Sequence, residues 1–94
     1  MIINDSQKSF KDLMEFPSRI TFSVIGKIGE TSEEMIRGVI EENHKLKVYN
    51  PVTTQKSSKG NYQSFRVTTK VQSEEQLKQL YTDLGKIPGV RYVL

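Results

Sequence analysis

The sequence contains no cysteine at all. The chain can therefore form no disulfide, no thiolate-ligated zinc or iron–sulfur site and no cysteine nucleophile. The absence of cysteine fits a reducing compartment. We expect neither a metal nor a cofactor.

Long apolar runs are also missing. The amino terminus, MIINDSQKSFKDLMEF, mixes acids and bases among its apolar residues and has no cleavage site of small residues, which disfavours a secretory signal. No stretch approaches the length of a membrane-spanning helix. Ninety-four residues fit one domain. We expect a soluble cytoplasmic protein that does not associate with membranes.

Acidic residues are unevenly distributed. Residues 1–44 carry five Lys/Arg against eight Asp/Glu, whereas residues 45–94 carry nine against three. No acid occurs between Asn43 and Ser73, where the cationic residues are Lys45, Lys47, Lys56, Lys59, Arg66 and Lys70. Two interpretations stay open: a surface for an anionic partner, or lysines that keep an exposed sheet edge from aggregating.

The hydrophobic pattern predicts six elements in the order strand, helix, strand, strand, helix, strand. The strands are RITFSVIG, LKVYNPVTTQKSS, YQSFRVTTKVQ and the final Val90 to Leu94. The helices are TSEEMIRGVIEENHK and a second one, which Ser73 caps and for which Gly85 is expected to be a left-handed C-cap. Right-handed crossovers arrange this order as an α+β, ferredoxin-like βαββαβ plait, a four-stranded antiparallel sheet with two helices on one face. We expect this domain at residues 17–94, after an N-terminal helical arm at residues 1–16.

The first helix carries three finer predictions. Thr31 and Glu34 have the spacing of a capping box. The apolar stripe consists of Met35, Ile36, Val39 and Ile40. Gly38 weakens the helix, so we expect the helix to approach the sheet closely there.

The stretch KSSKGNYQSF joins the second and third strands. Gly60-Asn61 predicts a two-residue hairpin turn, which would set Thr54 opposite Val67 and Val52 opposite Thr69. The other face of the sheet would then show Tyr49, Tyr62, Ser64, Arg66, Thr68 and Lys70. The candidate binding residues are Ser57, Ser58, Lys59, Gly60, Asn61, Tyr62, Arg66 and Lys70.

A basic sheet face on this scaffold suggests RNA binding as an alternative, because RNA-recognition motifs share the βαββαβ order. Their third strand carries two aromatic residues on which bases stack. In KGNYQSFRV these positions hold Asn61 and Gln63. Stacking contributes about 1–3 kcal/mol per base, so only weak, salt-dependent nucleic-acid binding is expected.

Catalysis has little support in the sequence. His44 falls at a helix end, where it faces the helix dipole more readily than it acts as a base. Ser57 and Ser58 have only Lys59 as a neighbouring base, and turn hydroxyls commonly bond to the backbone. The chain is therefore expected not to be an enzyme.

The stretches LMEFPSRITFSVIG, SSKGNYQSF and LYTDLGKIPGVRYVL resemble the YbeD-like family of small bacterial proteins, whose function is uncharacterised. The resemblance implies a ferredoxin-like domain similar to ACT-type regulatory modules, with a proposed link to lipoate metabolism. ACT modules commonly place an acidic residue and a Pro-Gly turn after the first strand. This chain has Gly26-Lys27-Ile28-Gly29 there, which does not favour amino-acid binding.

Three functional hypotheses follow. The first is a regulatory or adaptor domain that binds a protein partner through the sheet face and the hairpin, with homodimerisation as a further expectation. The second is a weak nucleic-acid-binding module. The third is a small-ligand sensor of the ACT type, for amino acids or lipoyl compounds.

Overall fold

The computed structural model describes residues 15–94. The predicted N-terminal arm at 1–16 falls almost wholly outside this range. The elements are β1 (Ser18–Lys27), α1 (Glu33–Arg37) with a π-helical continuation (Gly38–Asn43), β2 (Val48–Lys56), β3 (Tyr62–Val71), α2 (Glu74–Gly85) and β4 (Val90–Val93). The predicted order βαββαβ is confirmed.

All pairings in the sheet are antiparallel, and the strand order is β2-β3-β1-β4. The two central strands pair over their whole lengths, from Ser18 opposite Val71 to Lys27 opposite Tyr62. This is the ferredoxin-like arrangement, in which each βαβ half places its second strand beside the first strand of the other half.

One core lies between the sheet and the helices. On β1 and β3 alternate residues point into it, and Phe22 faces Val67 while Val24 faces Phe65. The helices contribute Ile36, Ile40, Leu77, Leu80 and Leu84, all buried. Since strand side chains alternate, the intervening residues of β1 and β3 lie on the opposite side of the sheet.

The first helix differs from its prediction at its start. The N-cap is Ser32, whose hydroxyl accepts from the Met35 N–H at 3.3 Å. Thr31 is buried instead and donates its hydroxyl to the Pro88 carbonyl at 2.7 Å. Thr31 thereby connects the loop after β1 to the turn before β4.

The middle of this helix also departs from expectation. The helix widens into π geometry from Gly38 onward, and a Cβ added at Gly38 would meet nothing within 4 Å. The predicted close approach to the sheet is therefore wrong at this position. Met35 leaves the apolar stripe and is 42% exposed.

Close approach occurs at two other glycines. A Cβ at Gly26 or at Gly89 would collide with the Thr31 side chain. Gly89 also has φ +85°, which favours glycine. The Gly89 carbonyl accepts from the Lys27 N–H at 2.9 Å, so this junction holds the first and last strands together.

The second helix begins as predicted, because the Ser73 hydroxyl accepts from the Gln76 N–H at 3.1 Å. Its end differs from the prediction. Gly85 is the last helical residue, and the C-cap is Lys86 in right-handed geometry, φ −86°. The left-handed turn comes later, at Gly89.

Both sheet edges are irregular. On β2 the register shifts between Tyr49 and Thr53, with Pro51 inside the bulge. On β4 it shifts so that Ile25 faces Tyr92 and Gly26 faces Val90, which leaves Arg91 as an extra residue.

The predicted hairpin pairing is wrong. Thr54 lies opposite Phe65, not Val67, and Thr69 faces Val48, not Val52. The loop is longer than Gly60-Asn61, because Lys56 pairs with Gln63 and the Ser57 N–H donates to the Tyr62 carbonyl at 2.7 Å. Each error is an even number of residues, so the residues that share a face are unchanged.

Candidate functional site: the cationic open face

The face of the sheet that points away from the helices is here called the open face. Strand alternation and the observed register place on it Arg19, Thr21, Ser23, Ile25, Tyr49, Thr53, Gln55, Tyr62, Ser64, Arg66, Thr68, Lys70 and Tyr92. These residues form rows across the strands. One row is Tyr92, Ile25, Ser64 and Gln55, and a parallel row holds Ser23, Arg66 and Thr53.

The open face carries cations and no acids. None of the four strands described in residues 15–94 contains Asp or Glu, while six cations lie within them: Arg19, Lys27, Lys56, Arg66, Lys70 and Arg91. In that part of the chain, the acids occur before β1, in the loop after it and on the helices. The uneven charge along the sequence thus corresponds in the fold to acids on the helical side and cations on the strands.

Ion pairs follow the same division. Arg37 on the first helix donates to Glu33 at 2.8 Å and to Glu41 at 3.3 Å, and Lys78 lies 3.6 Å from Glu74. Among residues 15–94, Arg19, Arg66, Lys70 and Arg91 form no ion pair, whereas Lys27 at the end of β1 lies 3.6 Å from Glu30.

Two tyrosines on this face are covered by cations. The Arg19 guanidinium lies 4.2 Å from the ring centroid of Tyr49, and the Lys47 ammonium lies 5.2 Å from it. At the other end of the sheet, the Arg91 guanidinium lies 5.6 Å from the ring of Tyr62. These cation–π contacts hold the long basic side chains against the sheet.

Hydroxyl groups occupy the centre of the face. Thr21 and Thr68 are cross-strand partners, and their hydroxyl oxygens are 2.7 Å apart. Arg66 and Lys70 flank Thr68 along β3, and both are exposed. The open face therefore combines charged groups with hydrogen-bonding groups, as polar binding surfaces do.

The predicted binding residues separate into two groups. Arg66 and Lys70 lie on the sheet, whereas Ser57, Ser58, Lys59, Gly60 and Asn61 form the exposed hairpin loop next to Tyr62. Tyr62 and Lys70 are eight residues apart on one strand, which is about 27 Å. The hairpin and Lys70 consequently do not form one compact site.

Within the loop, Ser57 serves the turn. Its hydroxyl accepts from the Tyr62 N–H at 3.2 Å, and its carbonyl accepts from the Gly60 N–H at 3.0 Å. Gly60 has φ +75°. The serine is occupied by backbone hydrogen bonds, as is typical of turn hydroxyls.

A shallow cavity of about 240 Å³ lies where the hairpin joins the sheet. It is lined by Ile25, Gln55, Lys56, Ser57, Tyr62, Gln63 and Ser64. Four of these residues belong to the open face. Ile25 and Tyr62 give the cavity its apolar surface.

Sequence reasoning missed several residues of the open face. Arg19, Lys47 and Arg91 contact the predicted tyrosines, but they come from three separate segments. Tyr92, 63% exposed, faces Ile25 on the edge strand. Alternation within RITFSVIG could have placed Arg19 on this face. The β4 bulge that decides the side of Arg91 has no clear signal in the sequence.

A second polar constellation joins the helices. The His44 Nε2 lies 2.8 Å from Asp83 Oδ2, and both side chains are largely buried. Since an ionised carboxylate only accepts, the ring donates through this nitrogen. The other oxygen, Oδ1, accepts from the Gln79 amide at 2.9 Å. The hydrogen bonds from Gln79 and then from His44 hold the pKa of Asp83 below its usual range, against the effect of burial.

His44 is the C-cap of the π-helical segment, so its predicted place at a helix end is confirmed. Its partner is 39 residues away in the sequence, and only the packing of α2 beside this segment brings the two together. A cavity of about 280 Å³ beside the pair is lined by Val39, Asn43, Asp83, Lys86 and Ile87. The pair links the two helices through a hydrogen bond.

No helix in the described range has both the length and the apolar character needed to cross a bilayer. In the same range, His, Asp and Glu form no group of three or more that could hold a metal.

The fold and the open face define the class of protein, a small ferredoxin-like α+β domain with a basic sheet face that points away from its two helices. Residues 11–94 match a family described as "Protein of unknown function (DUF493)", and the chain belongs to this family. This family match, together with curated relatives about 40% identical, confirms the resemblance to YbeD-like bacterial proteins.

Among curated proteins, the chain is 40% identical over 85 residues to a UPF0250 protein of Shewanella oneidensis, covering 90% of this chain and 94% of the relative. A UPF0250 protein of Shewanella baltica is 39% identical with the same coverage. The solution structure of protein HP0495 from H. pylori is similar, with a TM-score of 0.76 and 19% identity. That match covers 97% of this chain and 92% of HP0495, and it supports the fold.

Proposed function

We propose that this domain is a non-enzymatic adaptor or regulatory module that binds an acidic surface of a partner protein through its open face. The observation that carries the proposal is the charge separation across the sheet. Six cations stand on strands that contain no acid, and the helical side holds most of the acids of residues 15–94. Such a surface attracts and orients an acidic partner.

The tyrosines favour protein over nucleic acid. Single-stranded nucleic acids gain affinity when bases stack on free aromatic rings. On this face the Tyr49 ring is already covered by Arg19 at 4.2 Å, and Tyr62 is approached by Arg91 at 5.6 Å. Weak nucleic-acid binding driven by charge is the alternative, and it predicts a steep decrease of affinity with salt.

The experiment is affinity purification from the native cells with three forms of the full chain. The double variant Arg66→Glu/Lys70→Glu reverses two charges of the open face. Lys78→Glu changes one charge on the helical side and serves as the control, because Lys78 is exposed and, within residues 15–94, pairs with Glu74 alone. We expect the wild type and Lys78→Glu to capture the same acidic protein and the double variant to lose it.

The purified partner then gives the affinity. Two charge reversals in one contact are expected to weaken binding about tenfold or more. Charges at the edge of a contact act mainly on the association rate, so most of the loss is expected in that rate. Equal binding by the double variant would overturn the proposal. Tighter binding of generic single-stranded RNA than of the captured protein would favour the alternative.

Three further properties belong to this proposal. A cytoplasmic location is supported by the lack of cysteine in the whole sequence. Homodimerisation is tested by light scattering across a range of protein concentrations. The ACT-like ligand role and the link to lipoate metabolism are predictions from the family resemblance, and a thermal-shift screen of amino acids, lipoic acid and lipoyl-lysine tests them.

A further inference from the structure

The rows of the open face have the spacing of an extended peptide. Successive rows along β1 and β3 are two residues apart, which is about 7 Å. An extended chain also repeats its same-side residues every two positions, at the same spacing. A peptide that lies along these strands can therefore set one side chain over each row.

One row offers an apolar contact. Ile25 is partly buried beside Ser64, and the cavity of about 240 Å³ opens there against Tyr62. Leucine-sized side chains fit a depression of this size. The four-strand row places Tyr92, 63% exposed, on the far side of Ile25.

On the side of the cavity toward the start of β1, two rows offer cations at fixed distances from it. The neighbouring row holds Arg66, opposite Ser23 and two residues from Ile25 along β1. The row of Arg19 and Lys70 is six residues from Ile25, about 20 Å away. Between them, the row of Thr21 and Thr68 carries no charge.

We propose that the open face binds an extended acidic segment of its partner with an apolar residue in the cavity and acidic residues two and six positions further along. The apolar side chain contacts Ile25 and Tyr62, and the two carboxylates meet Arg66 and the Arg19–Lys70 pair. The inference rests on the proposed function and specifies the partner sequence. Side-chain contacts alone do not fix the direction of the segment, so the motif applies in either order.

The test uses synthetic fluorescent peptides in a Ser/Gly background, at low salt, with the full chain. The first carries Leu followed by Glu two and six residues later, and a second carries the same motif reversed. In matched controls Leu is replaced by Ser or moved by one position. We expect one order of the motif to bind about tenfold tighter than its Ser control, because Leu is removed from water. The moved Leu points away from the sheet and should give no advantage.

Variants of the chain locate the contact. Ser64→Phe fills the cavity and should make the Leu and Ser peptides bind equally, while Thr82→Phe, on the exposed side of α2, should preserve the difference. Arg66→Glu should weaken both peptides. The thermal unfolding of each variant is measured in parallel to confirm that it is folded.

Two outcomes overturn this inference. One is equal binding of the Leu and Ser peptides to the wild type, and the other is no binding of either motif order. Both leave the proposed function standing if the captured partner still depends on Arg66 and Lys70. Loss of that dependence, with a Leu advantage that Ser64→Phe abolishes, would reject the charge-driven function and keep the cavity.

Discussion

On β1, Phe22 and Val24 are buried beneath the helices, whereas Thr21 and Ser23 lie on the open face. The two sets come from the same few residues of chain. The buried set is constrained by volume and packing, so its members are apolar and their size matters. The residues of the open face are not constrained by volume or packing. The open face as a whole is marked by positive charge and the lack of acids. The buried residues thus stabilise the fold, whereas the residues of the open face lie at its surface.

The largest effect is expected from truncation in the core. Phe22 is fully buried, and its ring packs edge to face against that of Tyr81, with the two ring centroids 5.1 Å apart. Phe22→Ala should reduce the free energy of unfolding by about 3–5 kcal/mol, measured by urea unfolding. Ser23→Ala, one residue away on the open face, should stay within about 0.5 kcal/mol of the wild type. Similar losses in both variants would contradict the division between the faces.

Replacement by alanine should change the stability of the fold in opposite directions at Gly26 and Gly38. A Cβ at Gly26 collides with Thr31, whose hydroxyl bonds to Pro88, so Gly26→Ala should cost about 1–3 kcal/mol. Gly38 has open space around it, so Gly38→Ala should stabilise the helix by up to about 1 kcal/mol. Thermal unfolding of both variants gives the comparison. Equal destabilisation would mean that Gly38 is needed for the π-helical geometry itself.

The helical side should depend on pH through Asp83. Its pKa is lowered in the fold, so its stabilisation is present above the unfolded pKa, near 3.8, and is lost as pH falls through the folded pKa. Asp83→Asn should cost about 1 kcal/mol at pH 7, and its difference from the wild type should vanish in strong acid. Urea unfolding between pH 7 and pH 2 measures this. Glu75→Gln, an exposed change on the same helix, is the control, and a difference that grows in acid would contradict the assignment.

The smallest effect on stability is expected at the open face. Arg66 is exposed, and Arg66→Glu should change the free energy of unfolding by less than about 0.5 kcal/mol while it weakens binding. Urea unfolding and the peptide titration measure the two quantities on one sample. A stability loss above about 1 kcal/mol would show that Arg66 supports the fold, and its binding phenotype could then no longer be assigned to contact with a partner.

Much of the fold follows from local sequence patterns. Alternation in YQSFRVTTKVQ placed Phe65 and Val67 in the core and Arg66 outside it, because strand side chains alternate strictly. Ser73 was recognised as a cap because the residues that cap helices are few. An error of two residues in the hairpin pairing preserved both faces for the same reason of periodicity.

Long-range features were not predictable in this way. The hairpin loop exceeds Gly60-Asn61 because Lys56 pairs with Gln63, and the bulge around Pro51 then shifts the pairing again further along β2 without a distinctive local pattern. The bond between His44 and Asp83 depends on how two helices pack. Thr31 has the sequence pattern of a helix N-cap, but its side chain is buried and bonds to Pro88. The packing of two loops that are distant in sequence decides its role, and local capping preference does not.

The two bulges have a consequence for the behaviour of the protein at high concentration. A sheet grows sideways into fibrils when a regular edge strand offers its free N–H and C=O groups to another strand. Here one edge is distorted around Pro51 and the other is only Val90–Val93, with Arg91 displaced from the register. Neither edge is a good template for lateral growth, so we expect little tendency of the domain to polymerise along the sides of its sheet.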